Sequence, residues 1–344
     1  MKTVKDIKEL ADILDISITT ISRVLNGKSK QFRISPLTSK KVLDAAKLYN
    51  YTPNRYARGL KTTKTGIIGL IIPDISNPFF SDFASNIELE LKEQGYLMIL
   101  CDSRDSIDVE EKMIALLKSH KVEGIIIAPV GTAYEHIVQC YDSGTPLVVI
   151  DRVFPELHLP YVTSDNFKGA LEATSYLISM GHTSIACLQG IPDSRINMER
   201  ISGYMQALER NNIKVNTQLI LGDNYSIHSG YLNAHKLLEL QTRPTAILAL
   251  SNLISLGAMR AMKEAGIAIP HDMSIISFDD NPYSEFLWVP MTTINQNKKQ
   301  IGALAVNILL KKINDHSDNQ ESKAFQIYID AEIVYRDSVL KISR

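Results

Sequence analysis

The segment Ser17-Ile18-Thr19-Thr20-Ile21-Ser22-Arg23 sets short hydroxyls and one guanidinium at helical spacing. With Ile21, Val24 and Leu25 turned inward, its outer face carries Ile18, Thr19, Ser22 and Arg23. Hydroxyls bond phosphate oxygens and a guanidinium reaches the edge of guanine, so this set suits a helix lying in a DNA major groove. Far along the chain, Asp151 and Asp279 each close an apolar run. Carboxylates there could accept hydroxyls of a small molecule. Enzyme chemistry finds less support. No GxSxG, GxxxxGK[ST], HExxH or GxGxxG occurs, and no nucleophile or metal set accompanies the aspartates. The eight histidines are scattered, and the three cysteines (Cys101, Cys140 and Cys187) form no CxxC. No cofactor, metal or disulfide is expected, and no enzymatic activity.

The elements around the first group are short helices. Val4, Ile7, Leu10, Ala11 and Leu14 make a helical stripe that Thr3 could cap. A tight break at 15–17 leads to a second helix over 18–25, with Ser17 as N-cap and Asn26-Gly27 as its stop. A third helix is expected over 39–48, with Val42, Leu43, Ala46 and Leu48 inward. Two helices joined by a tight turn, the second basic, describe a helix-turn-helix.

Charge divides the same way. Residues 1–64 hold 14 Lys and Arg against 5 Asp and Glu; the remainder holds 23 against 33. The net charge of −1 therefore hides a basic head on an acidic body, a footprint for a polyanion. No apolar run is long enough to span a bilayer, and the N-terminal segment lacks a signal-peptide core, so a cytoplasmic protein is expected.

The segments 20–26 (TISRVLN) and 51–60 (YTPNRYARGL) resemble the recognition helix and hinge helix of the LacI/GalR family of bacterial transcription regulators. The resemblance covers nearly the whole chain. It implies that Ser17, Thr20, Ser22 and Asn26 hold phosphates and that Ile18, Thr19 and Arg23 face bases. It implies further DNA contacts from the hinge segment through Asn54, Arg55, Ala57 and Leu60, with Leu60 as an apolar wedge in the minor groove. Two features depart from the family pattern. Asp15 replaces the usual turn glycine, and the basic stretch 28–34 is about three residues longer.

From Gly66 onward, apolar runs alternate with helical patterns, which argues an α/β body of parallel sheets flanked by helices. The alternation occurs twice, giving two lobes of similar plan, expected over about 65–163 plus 292–323 and about 164–291 plus 324–340; the family resemblance implies that this body is similar to a periplasmic sugar-binding protein. The domains expected are thus 1–50, a hinge at 51–64 and a body at 65–344. Ligands of open α/β sheets sit beyond the C-terminal strand ends. Position and chemistry there select Asn77, Phe79, Asp151, Arg200, Tyr225, Asn252, Asp279 and Gln296 as effector contacts. Each has a plainer alternative, such as a helix cap or a packed ring, and His182 is expected to be a structural turn residue. Ser251-Asn252 stands where the family commonly has Asn-Asp, which unsettles a standard hexose as ligand. The expected function is a homodimeric repressor that binds a palindromic double-stranded operator under control of a small carbohydrate effector. The alternative is a small-molecule-binding α/β protein or enzyme with a basic N-terminal appendage.

Overall fold

The computed structural model describes residues 4, 6–51, 65–314 and 325–342. The chain separates between Thr65 and Gly66 into a small head and a large body. Thr3, Asn54, Arg55, Ala57 and Leu60, and with them the hinge segment 52–64, lie outside the described residues.

The head holds α1 (Ile7–Leu14), α2 (Ile18–Leu25) and α3 (Pro36–Leu48). The first helix is capped by Asp6, whose carboxylate accepts from the N–H groups of Lys8 and Glu9 at 2.8 and 2.9 Å. It ends on Asp15 in the left-handed region, φ 51°, where a short polar side chain does the work of the family's glycine. α2 occupies the expected residues, with the Ser17 hydroxyl accepting from Thr20 N–H at 3.2 Å. α3 starts three residues early, because Ser35 caps it and the fixed φ of Pro36 suits a first helical turn. Its inner face also differs from expectation. Val42, Ala45 and Ala46 are buried, whereas Leu43 and Leu48 are 52% and 61% exposed. The stripe 42-45-46-49 keeps true helical spacing, and the alanines let α3 approach α1 and α2 closely.

The body holds two six-stranded sheets. The first runs β11 (Gln326–Ile329), β5 (Tyr161–Ser164), β4 (Leu147–Ile150), β3 (Gly124–Ile127), β1 (Ile67–Ile72) and β2 (Leu97–Asp102), all parallel. The second runs β12 (Glu332–Val334), β10 (Thr292–Asn295), β9 (Ser274–Phe278), β8 (Ala246–Ala249), β6 (Ile185–Leu188) and β7 (Ile220–Leu221). Only its β10–β12 pair is antiparallel. Strands β1, β3, β4, β8 and β9 are buried along their whole length, as helices on both sheet faces require. Those helices are α4 (Pro78–Glu93), α5 (Ile107–Ser119), α6 (Glu135–Asp142), α7 (Asn166–Ser179), α8 (Arg195–Arg210), α9 (Ile227–Leu238), α10 (Asn252–Glu264) and α11 (Lys298–Asn314).

The lobe boundaries near the C-terminus need correction. Residues 292–295 pair with β9 and belong to the second lobe, not the first. The segment 324–340, expected in the second lobe, divides between the two sheets. β11 extends the first sheet beside β5, and β12 then closes the second beside β10. Asp330-Ala331 lies between them, with Ala331 buried in the second core, so the chain changes sheet within two residues. α11 packs its Ile301, Ala305, Val306 and Leu309 into the first core. The chain therefore passes between the lobes after β5, after β10 and after β11.

In the second lobe α9 and α10 meet at two glycines. A Cβ on Gly257 would strike Ile227 O and Tyr231 N, and one on Gly230 would strike Ile254 O. His182 has a structural role. Its Nδ1 lies 2.9 Å from Thr245 Oγ1, and its Nε2 lies 3.1 Å from Leu340 O, tying the tail to the start of β8 in the sheet interior. Burial pushes its pKa down, keeping the ring neutral.

Candidate functional site

On the head, Ile18 and Thr19 are exposed, and Ser22 and Arg23 are half-buried on the same helix. The Ser17 and Thr20 hydroxyls lie 2.8 Å apart at the start of α2. At its end the Asn26 amide donates to Ser22 O at 2.6 Å and to Ser22 Oγ at 3.3 Å. Local bonds thus orient the four residues expected at phosphates. No acidic side chain occupies the first turn of α2, so its positive end is uncompensated there.

In the body, the C-terminal ends of the two sheets face each other. Seven of the eight residues selected from sequence (Asn77, Phe79, Asp151, Arg200, Tyr225, Asp279 and Gln296) line one cavity between the lobes. The eighth, Asn252, stands directly behind it. Its Nδ2 donates to Asn77 Oδ1 at 3.1 Å across the lobes and to Tyr283 OH at 3.3 Å. About 40 Å³ is free here, room for a few waters, and an adjoining cavity of about 180 Å³ shares Arg152, Ser194 and Ile196 with it.

The side chains are placed by strand ends and helix starts. Asn77 is the N-cap of α4, its Oδ1 accepting from Phe79 N–H at 3.1 Å. Asp151 and Asp279 follow β4 and β9, equivalent strands of the two sheets, and both adopt left-handed backbone, φ 60° and 72°. Such strain is held where surrounding contacts over-determine it, commonly at binding sites. Asp279 accepts from Gln296 Nε2 at 2.6 Å and from Asn252 N–H at 3.3 Å. Phe79 meets Phe80 and Phe83 edge-on, with centroids 5.1 and 5.2 Å away.

Arg200 lies in the second turn of α8. Its Nε donates to Asn166 Oδ1 at 2.8 Å and its Nη1 to Leu250 O at 2.6 Å, while the guanidinium lies 3.9 Å from the Phe278 ring centroid. Asn166 is therefore a positioning residue for the one fully buried arginine among the described residues. Burial raises the Asp151 carboxyl to about 6, against the pull of Arg152 and Arg200 and with a push from Asp279. Burial also raises Glu110, whose carboxylate faces His136 Nε2 at 2.6 Å and accepts from Val130 N–H at 3.0 Å.

Sequence reasoning missed several contributors. Ser194 and Ser251 are N-caps of α8 and α10 after strands, the same position that singled out Asn77, so that rule would have found them. Arg152, next to Asp151, was likewise within reach. Lys298 was not. It is buried at the start of α11, donating to Asp280 O at 2.8 Å and pairing with Asp82 at 3.0 Å, and so joins the lobes. Among the described residues no group of three or more His, Cys, Asp and Glu gathers to hold a metal. No helix among them is long and apolar enough to cross a membrane.

Residues 65–332 match the family described as periplasmic binding proteins and sugar binding domain of LacI family. Residues 3–54 match bacterial regulatory proteins, lacI family. The HTH-type transcriptional repressor PurR of Vibrio cholerae serotype O1 is 32% identical over 346 residues, all of both chains. The lac repressor dimer, solved bound to operator and the anti-inducer ONPF, superposes with a TM-score of 0.85 at 26% identity, over 98% of this chain and 100% of that one. A LacI family regulator from Enterococcus faecium with bound ribose gives 0.72 at 29% identity, over 80% and 100%.

Proposed function

Since the chain belongs to the LacI family of bacterial regulatory proteins and is a sequence-specific DNA-binding transcriptional regulator, we propose how its residues divide that work. Ile18, Thr19 and Arg23 read bases in the major groove, and Ser17, Thr20, Ser22 and Asn26 hold phosphates. Two copies place their heads on the halves of a palindrome about one helical turn apart. Asn54, Arg55, Ala57 and Leu60 complete the grip from the hinge segment, with Leu60 wedged into the minor groove at the operator centre. The protein acts in the cytoplasm, as a regulator and not as an enzyme.

The effector is a carbohydrate or its derivative held between the lobes. The observation that carries this is the convergence of Asn77, Asp151, Arg200, Asp279 and Gln296 with the rings of Phe79 and Tyr225 on one interlobe cavity. Amides and carboxylates there match the hydroxyls of a sugar, and aromatic rings match its apolar faces. The ribose held by the Enterococcus relative supports the same class. The effector acts through its differential affinity for two lobe arrangements. Asn77–Asn252 and Lys298–Asp280 are the contacts it must make or break.

Fluorescence anisotropy on genomic fragments during a salt titration tests the DNA function. Preferred fragments should bind with log affinity falling at about 0.9 per phosphate neutralised for each decade of salt. A chain with no preferred fragment, with or without sugars, would refute it.

Asp151 adds a pH dependence. Its native carboxyl titrates near 6, above the unfolded value of 3.8, so the native state holds the proton more tightly. Its stability contribution is therefore present at low pH and declines as pH rises from about 4 through 6. A sugar hydroxyl donating to the carboxylate favours the ionised form. Effector affinity should then rise with pH through about 6, by up to roughly tenfold per pH unit on the acid side. Calorimetric titration across that range checks this, and Asp151→Asn should flatten the profile. A flat wild-type profile would remove Asp151 from the contact set.

A further inference from the structure

The segment between α2 and α3, the stretch longer than the family pattern, is a folded turn. Lys28 N–H donates to Arg23 O at 2.9 Å, Phe32 N–H to Lys28 O at 3.1 Å and Ile34 N–H to Ser29 O at 2.9 Å. Arg33 takes a left-handed backbone, φ 52°, and Ile34 packs against the head core. These constraints present Phe32, 41% exposed, to α2. Its ring centroid lies 3.8 Å from the Arg23 guanidinium carbon.

That distance is a stacking contact between a planar cation and the electron-rich ring face. Stacking uses only the face of the guanidinium. Its N–H donors lie in the plane and stay free for a bidentate bond to guanine O6 and N7. A free arginine must lose rotamer freedom when it reads a base; a stacked one has lost part of it beforehand. We infer that Phe32 is a positioning residue for DNA recognition, which holds the Arg23 guanidinium in place for reading guanine. Lys28, Lys30 and Arg33 on the same turn bring positive charge beside it. The inference rests on the reading of α2 as the base-contacting helix.

The test uses the full-length chain. Duplexes with a randomised centre are selected for binding by the wild type, Phe32→Ala, Phe32→Tyr and Arg23→Ala, and the bound pools are sequenced. Arg23→Ala should lose guanine preference at one position per half-site. Phe32→Ala should weaken that same preference by roughly three- to tenfold and leave the other positions unchanged. Phe32→Tyr keeps the ring face and should restore it. Affinity for unselected DNA and thermal unfolding of Phe32→Ala should match the wild type, which separates positioning from folding. A Phe32→Ala pool indistinguishable from the wild type, while the Arg23→Ala pool differs, would overturn the role of Phe32 alone. An Arg23→Ala pool identical to the wild type would overturn the base-reading role of Arg23 and, with it, this one. A loss spread evenly over all positions would make Phe32 a support for the head rather than for Arg23.

Discussion

Arg200→Ala is expected to abolish the response to effector while operator binding in its absence persists. Arg200 is 3% exposed, lines the cavity together with both strand-end aspartates and acts electrostatically on Asp151. An effector whose hydroxyl or anionic group pairs with it gains a charge-assisted bond away from water, and truncating one partner of such a bond costs about 2–5 kcal/mol. That corresponds to a loss of affinity of roughly 30-fold to several thousandfold. The structure adds a second effect. Leu250 O and Asn166 Oδ1 lose their partners and the Phe278 face loses its cover, so the body should also lose about 2–4 kcal/mol of stability. Arg200→Lys retains charge but not the planar fork, and should recover stability more than affinity. Thermal shift with candidate sugars, beside anisotropy on operator DNA, separates the two effects. An Arg200→Ala protein that still responds as the wild type does would place the effector elsewhere.

Gly257→Val is expected to cost the body about 3 kcal/mol or more, chiefly in the second lobe. The added carbons would point at Ile227 O and Tyr231 N, backbone atoms of a packed helix that cannot rotate away. α9 and α10 must separate, loosening the core formed by Ala234, Leu237, Ala258 and Met262. The melting temperature should fall by roughly 6–12 °C. Effector binding should weaken too, because α10 begins with Asn252 and is capped by Ser251, both at the cleft. Gly257→Ala, with one carbon, should show a smaller loss in the same direction. Melting of the valine variant at the wild-type temperature would show that α9 and α10 are not held as closely as described.

The parts of this fold that were legible in the sequence are those with a local signature. α2 starts and stops where Ser17 and Asn26-Gly27 say it must, since caps act within a turn. The strand-end rule found Asp151 and Asp279 because the apolar run of a buried parallel strand ends at the first polar residue, where ligands of such sheets sit. What was not legible depended on distant partners. Leu43 looked like core because leucine is apolar, yet the neighbours of α3 leave room only for Ala45 and Ala46. Residues 324–340 were expected in one lobe because nothing local marks where the chain changes sheet. Lys298 is buried only because Asp82 and Asp280 O lie across from it, 216 and 18 residues away in the chain.

The passage of the chain between the lobes bears on how the protein is made. Neither sheet is complete until β11 and β12, at 326–334, have been added. On the ribosome, at about 5–20 residues per second, α1, α2 and α3 of the head are made by residue 48, and the body then waits roughly 15–60 s for its closing strands. Once made, β5 and later β10 remain open edges until β11 and β12 arrive, able to pair with another nascent chain. A premature stop between residues 296 and 325 would fix that state permanently. It would release a finished DNA-binding head on an unfinished body, prone to aggregate instead of sensing anything.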